Sequence, residues 1–215
     1  MNGIRFGAYH SYDDLQLVLS KKEIGSPAVK KNKLDIPGAD SAIDQTDFFG
    51  EPKFDDVDHR FEFTSVLPHS GFLDQYSRIK NAIHGKRLKI ILDDDPAFFY
   101  WGRCDVSAFT SDKGVGTVTI TCDCKPYKYK QDLTVITKTI NGAETLPLTN
   151  GRLRAVPEVT ITTDSSIRIV YQGMNIWDLG SGSYTLPELE LVEGVNAVEV
   201  SGKGTITFTW QWGEM

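Results

Sequence analysis

Three cysteines and four histidines are the side chains of this sequence that could hold a metal ion or act as nucleophiles. The cysteines are Cys104, Cys122 and Cys124, and the histidines are His10, His59, His69 and His84. The sequence has neither the C-x-x-C knuckles of a structural zinc site nor two histidines three or four residues apart. Because a free cysteine packs like a small apolar residue, we predict buried thiols and no metal site.

Carboxylates occur in two clusters that could bind calcium or serve as an acid and a base. One cluster is Asp93, Asp94 and Asp95, and the other is Asp55, Asp56 and Asp58. Neither fits the D-x-D-x-D-G pattern of a calcium loop, and the DDDP sequence at 93–96 is typical of a turn. The sequence also lacks a G-x-S-x-G elbow, and the GSGS stretch at 180–183 lacks the lysine of a phosphate loop. We therefore predict no catalytic residue and no cofactor. Residues 93–95 are the single feature of the sequence that could support an enzymatic function.

Two other groups of side chains could bind a partner. Lys21, Lys22, Lys30, Lys31 and Lys33 could line a nucleic acid or a subunit contact, or could protect the edges of strands. Trp177 could serve as a sugar platform with Arg168 as a hydrogen-bond donor, whereas the strict alternation at 205–212 favours a core position for Trp210 or Trp212. The formal net charge of -6 disfavours a generic nucleic-acid binder, and no apolar run is long enough to predict a membrane partner.

The spacing of apolar residues predicts a mostly β protein with one helix. Alternation with a period of two predicts strands at 59–66 and 115–124 and recurs early at Leu15, Leu17 and Leu19, and a compact apolar run predicts a strand at 86–92. Further short strands are predicted at 134–140, 145–149, 157–163, 166–172, 183–191, 196–201 and 205–212. Only the segment 70–84 has helical spacing, with Phe72, Tyr76 and Ile79 on one side. Ser70 is the expected N-cap, and Gly85 the expected left-handed residue after the helix.

The sequence changes character near residue 130, which predicts two domains, 1–130 and 131–215. The predicted helix lies in the first domain, whereas the second has short strands at intervals of 8–12 residues. Such spacing is typical of a β-sandwich or a barrel. Acidic residues also outnumber basic ones more strongly in the second domain.

Several short motifs, taken in their order along the chain, resemble the distal tail proteins of phages with long non-contractile tails. They are LDIPGAD at 34–40, DQTD at 44–47, RFEF at 60–63, YWGR at 100–103, CKPYKY at 124–129, PEVTIT at 157–162 and LVEGVNAV at 191–198. The resemblance covers essentially the whole chain. It implies an N-terminal split β-barrel with one helix and an extended arm, followed by a galectin-like β-sandwich, in a short form without an inserted carbohydrate-binding module.

The resemblance also implies a role in the virion. Proteins of this family form a hexameric ring in the baseplate at the phage tail tip, as one ring or as two stacked rings. The expected partners are further copies of the chain, the tail tube protein, a tail-tip or tail-associated lysin-type protein, and the receptor-binding proteins for host attachment, with DNA passing through the lumen. The protein would be a virion structural protein made in the host cytoplasm. Alternatives are another phage tail protein of related fold, such as a tube subunit, or a carbohydrate-binding β-sandwich module.

The arm that the resemblance implies maps roughly to residues 40–58. This polar stretch contains three aromatic residues, Phe48, Phe49 and Phe54. Aromatic side chains in an otherwise loop-like segment fit a surface that docks on a partner. We therefore predict that these three residues form the subunit interface of the ring.

Overall fold

The computed structural model describes residues 3–48, 50–112 and 114–215. Within these ranges the chain forms one α-helix, α1 (Phe72–Ile83), and sixteen strands. The strands are β1 (Ile4–Phe6), β2 (Tyr9–His10), β3 (Leu17–Ile24), β4 (Lys33–Leu34), β5 (Ile43–Asp44), β6 (Val57–Ser65), β7 (Lys86–Leu92), β8 (Phe98–Asp112), β9 (Val115–Lys130), β10 (Thr134–Asn150), β11 (Glu158–Thr162), β12 (Ile167–Tyr171), β13 (Asn175–Leu179), β14 (Gly182–Thr185), β15 (Gly194–Trp210) and β16 (Gly213–Glu214). The prediction of a mostly β protein with one helix is confirmed.

The chain divides into two compact units between Pro126 and Tyr127, within strand β9. The sequence placed this division after residue 130. The last residues of β9 lie with the second unit because they bond to its C-terminal segment. The backbone N–H of Lys130 donates to the carbonyl of Trp212 (3.1 Å), and Tyr129 pairs with Gly213.

The first unit is built on one curled sheet with the strand order β2-β1-β7-β8-β9-β6-β3. Its two end strands are tied together, because the N–H of Leu17 donates to the carbonyl of Ser11 (2.8 Å). Alternate residues of the central strands point inward, as in β6, where Phe61 and Phe63 are fully buried. Both rings meet Phe6 edge-on, with ring centres 6.0 and 6.1 Å apart, at the centre of this core.

Helix α1 covers the core of the first unit and is fixed by a buried glutamine. Gln75 donates from its Nε2 to the carbonyls of Leu15 (2.8 Å) and Gln16 (3.0 Å). The expected cap at Ser70 is wrong, because a short 3-10 turn at His69–Gly71 precedes α1 and makes Gly71 the N-cap. Gly85 has the expected left-handed backbone, with φ of +73°.

The second unit depends on two long strands that bend at glycines. Strands β10 and β15 are antiparallel over their whole length, and Gly142 lies opposite Gly202. Both glycines have positive φ, +114° and +129°, so each strand bends there without breaking. Residues 198–202 of β15 pair with β12, and residues 205–209 pair with β11. Side chains from both halves, Val198 and Phe208 among them, form one core cluster.

The outer face of the half-sheet made by β10, β11, β14 and β15 is lined by hydroxyl groups. Its members are Thr137, Thr139, Thr160, Thr162, Ser183, Thr185, Thr205, Thr207 and Thr209. Thr160 lies opposite both Ser183 and Thr207, and its Oγ1 is 3.0 Å from the Ser183 Oγ. Such cross-strand hydroxyl pairs stabilise the register of a sheet. On the inner face of the same strand β15, Trp210 is buried as expected and donates from Nε1 to Asn150 Oδ1 (3.1 Å).

Candidate subunit interface

The three cysteines lie in the core of the first unit, as predicted. All three are buried, and the Sγ atoms of Cys104 and Cys122 are 3.1 Å apart. The hydrogen bond to Cys104, together with burial, raises the pKa of the Cys122 thiol, and burial raises that of Cys124. Among the described residues, no group of three His, Cys, Asp or Glu side chains could hold a metal ion.

The aspartates at 93–95 form the predicted turn, between β7 and β8, and two of them hold other segments in place. Asp93 Oδ2 accepts the backbone N–H of Gly3 (2.7 Å) and lies 3.1 Å from His10 Nε2. Asp94 pairs with Lys22 on the edge strand β3, and this hydrogen bond lowers the pKa of the Asp94 carboxyl. The turn therefore links the N-terminal segment to the far edge of the curled sheet.

The predicted lysine group is partly neutralised by acidic neighbours. Lys21 pairs with Glu23 on β3, Lys22 pairs with Asp94, and Lys30 Nζ lies 3.7 Å from Asp55 Oδ1. Lys21 and Lys22 lie on β3, at one end of the strand order. Their position fits the protection of an exposed strand edge better than a site for an anion.

The two residues considered for sugar binding lie on opposite faces of the sheet. Trp177 is paired with Ile169 in the β12–β13 ladder and packs against the core of the second unit. Arg168 is paired with Asp178 on the outer face, with Arg168 Nη1 3.3 Å from Asp178 Oδ2. A single sugar cannot be held between Trp177 and Arg168, because the sheet separates them.

The segment 25–56, named the arm from here on, is a ribbon whose described residues contribute nothing to either core. The described part of the arm has no member in the two core clusters. Its two halves are joined by the β4–β5 pair and by a bridge between Val29 and Phe54. The N–H of Lys30 donates to the carbonyl of Lys53 (2.8 Å). The arm thus begins well before residue 40, the start expected from the sequence, while Val57 and Asp58 already belong to β6.

The arm presents apolar side chains to solvent. Its exposed members are Val29, Leu34, Ile36, Ile43 and Phe48. Phe48 is 74% exposed, Phe54 is half-buried, and Phe49 lies outside the described residues. The aromatic residues could be predicted from the sequence, whereas the aliphatic ones could not, because they occur singly or two apart in a polar segment. The arm is the candidate interface because it exposes these apolar side chains and its described residues belong to neither core cluster.

The base of the arm is fixed to β6 by a buried histidine. Gly25, where the arm leaves β3, donates its N–H to His59 Nδ1 (3.2 Å). A Cβ atom at Gly25 would lie 2.5 Å from the carbonyl oxygen of Asp58, so this close approach requires glycine. His59 is 1% exposed, its ring meets Tyr100 edge-on, and burial lowers its pKa. The neutral ring is therefore the form that accepts the Gly25 N–H.

Acidification is expected to destabilise the protein through His59. Because the pKa of His59 is lower in the folded chain than its ordinary value of 6.5, the unfolded state binds a proton first as the pH falls. The free energy of unfolding should be fully retained above pH 6.5 and decrease below it, by at most about 1.4 kcal/mol per pH unit for this group. Urea unfolding at a series of pH values measures this dependence.

The matched variant is His59→Gln, which keeps a side-chain acceptor for Gly25 and cannot titrate. Its stability should depend less steeply on pH than that of the wild type, and the difference isolates His59 from the other histidines. Equal slopes for the two proteins would show that His59 is not the group responsible.

Comparison with known proteins shows the fold of the chain. No protein-family model and no curated protein matches this sequence. The crystal structure of the SPP1 Dit (gp 19.1) protein, described as a paradigm of the hub adsorption apparatus in phages that infect Gram-positive bacteria, superposes with a TM-score of 0.72. The match covers 99% of each chain at 14% sequence identity. The chain therefore has a fold similar to that of this phage hub protein, over both of its units.

No helix in the described part of the chain has both the length and the apolar character needed to cross a membrane.

Proposed function

We propose that this chain is a distal tail protein, a structural component of the phage tail tip without catalytic activity. The observation that carries the proposal is the match to the SPP1 hub protein over 99% of both chains. A match of this extent includes the arm, the curled sheet and the second unit, whereas a likeness confined to one β-sandwich would fit many unrelated proteins. The ordered set of sequence motifs, found independently of the structure, supports the same family.

The arm supports assembly into a ring. In a ring, each copy uses one surface to contact a different surface of the next copy. An arm whose described residues expose apolar side chains and take no part in the core of the chain is suited to cover a neighbouring copy. Phe48, Phe49 and Phe54 are the proposed aromatic anchors, with Leu34 and Ile43 beside them. Six copies form the proposed ring, as one ring or as a stacked pair.

The ring would connect the parts of the tail. The proposed partners are the tail tube protein on one side and a tail-tip or tail-associated lysin-type protein on the other, with receptor-binding proteins attached for host attachment. The second unit would be the galectin-like domain of the family. DNA would pass through the lumen, and the net charge of -6 favours passage over retention of phosphates.

The molar mass in solution tests the ring. Light scattering on a sizing column is expected to give six times 24.0 kDa, about 144 kDa, or twice that for two stacked rings. Negative-stain images of the peak should show a central hole. A mass of 24.0 kDa at every concentration, or an open filament, would contradict self-assembly into a closed ring.

A further inference from the structure

Two of the buried thiols in the first unit are close enough to react with each other. Cys104 lies on β8 and Cys122 on β9, and these strands are neighbours at the centre of the curled sheet. Their Sγ atoms are 3.1 Å apart, so about 1 Å of approach separates the contact from the length of a disulfide bond. Both residues are fully buried, which holds the two side chains in this arrangement.

The third thiol is placed differently. Cys124 shares the inward face of β9 with Cys122, and two residues of one strand that share a face lie too far apart for a disulfide within the strand. Across the sheet, Cys124 packs on Gly102, where a Cβ atom would lie 2.5 Å from its Sγ. The contact between their Sγ atoms therefore selects Cys104 and Cys122 as the pair.

We propose that Cys104 and Cys122 form an oxidation site that converts to a disulfide in the folded protein and staples β8 to β9. With hydrogen peroxide as the oxidant, one thiol loses its proton and the resulting thiolate attacks a peroxide oxygen to form a sulfenic acid, while the O–O bond breaks and the leaving hydroxide takes up that proton to give water. The second thiol then attacks the sulfenic sulfur, the S–S bond forms, and water leaves. In total, two thiols and one peroxide molecule give one disulfide and two water molecules.

The surroundings make this reaction slow and selective. Cys122 has a raised pKa because its thiol is buried and hydrogen-bonded to Cys104, so little thiolate is present at neutral pH. A peroxide molecule is small and uncharged, and it needs less opening of the core than a bulky disulfide reagent does. We expect the reaction to accelerate with rising pH and to be absent in a reducing environment such as a cell interior. This inference concerns the core of one chain and does not depend on the tail role.

The test is oxidation of the native protein with hydrogen peroxide, followed by quenching and peptide mapping without reductant. We expect a mass lower by two hydrogen atoms, one cross-linked peptide pair joining Cys104 to Cys122, and a free thiol at Cys124. The oxidised protein should unfold at a higher urea concentration than the reduced one, because the bond restricts the unfolded chain. Dithiothreitol should reverse both changes.

Two cysteine variants and the unfolded protein serve as controls. Cys124→Ser should give the same cross-link at the same rate, whereas Cys122→Ser should give none and should accumulate singly oxidised Cys104. Protein unfolded in urea shows that the oxidant is effective under the same conditions. If the unfolded chain is oxidised and the folded chain retains three free thiols, or if Cys124 is cross-linked instead, the proposal is wrong.

Discussion

Replacing Phe48 and Phe49 by alanine is expected to shift the protein from assembled rings to single chains. Phe48 is 74% exposed in the single chain, so its truncation removes no core contact and should leave the fold intact. At an interface, truncation of an aromatic anchor costs about 2 kcal/mol, which corresponds to roughly a 30-fold weaker contact. Light scattering over a dilution series measures the concentration at which rings dissociate.

The matched control for the arm is Leu73→Ala on helix α1. Leu73 is 73% exposed, nearly as much as Phe48, but lies outside the arm. The Leu73→Ala variant should have the same molar mass as the wild-type assembly and the same midpoint of urea unfolding. If the arm variant keeps the wild-type mass at micromolar concentration, its aromatic residues do not anchor the ring. If Leu73→Ala dissociates the ring instead, the interface includes the helix rather than the arm.

Replacing Asn196 by alanine is expected to lower the free energy of unfolding of the second unit by about 3 kcal/mol. Asn196 is 4% exposed, and its Oδ1 accepts the N–H of Val192 (3.0 Å). Its Nδ2 donates to the carbonyls of Val192 (2.8 Å), Leu148 (3.2 Å) and Gly194 (3.2 Å). Alanine removes these bonds and leaves one buried and several partly buried backbone groups without these partners, which costs more than the bonds themselves contribute.

Urea unfolding compares this variant with Asn141→Ala. Asn141 is exposed on β10, and its replacement should change the free energy of unfolding by less than about 0.5 kcal/mol. If both variants lose equal stability, the cost reflects strand propensity rather than the buried network. A native-like stability of Asn196→Ala would show that water or a shift of the backbone replaces the asparagine.

The elements that depend on local patterns could be predicted from the sequence. Helical spacing located α1, and the apolar run at 86–92 coincides with β7. Alternation also predicted that Trp210 or Trp212 is buried, and Trp210 is, because the side chains on either side of β15 differ sharply in polarity. In these segments local preference and burial agree, which is the condition under which periodicity is informative.

Features set by distant pairing could not be predicted in this way. The sequence suggested strands at 134–140 and 145–149, whereas β10 continues through Gly142 because β15 pairs with it on both sides of the bend. Glycine within a strand pattern resembles a turn until its partner is known. Trp177 suggested a sugar platform, but its pairing with Ile169 turns it towards the core.

The candidate interface could be predicted only in part. Phe48 and Phe54 could be singled out because they are aromatic residues in a polar stretch, and their role as anchors of a subunit interface stays a prediction. The start of the arm at Gly25 could not be predicted from the sequence, because it depends on the hydrogen bond from the Gly25 N–H to His59, thirty-four positions away. The exposed aliphatic residues of the arm carry no periodic signal, because they face no core of their own chain.

The pairing of β15 also determines the order in which the molecule can fold during synthesis. This strand pairs with β10, β11 and β12, all of which are made before it. Until residue 210 has been added, these three strands lack their common partner and expose edges that favour aggregation. In the first unit, the pairs β1–β2, β1–β7, β3–β6, β6–β9 and β7–β8 all join residues before 127, so that unit can fold while the second is still being translated. A nascent chain would therefore need protection by chaperones mainly along its second unit. If the ribosome stalled before β15, a folded first unit would remain attached to an unfolded, aggregation-prone second unit.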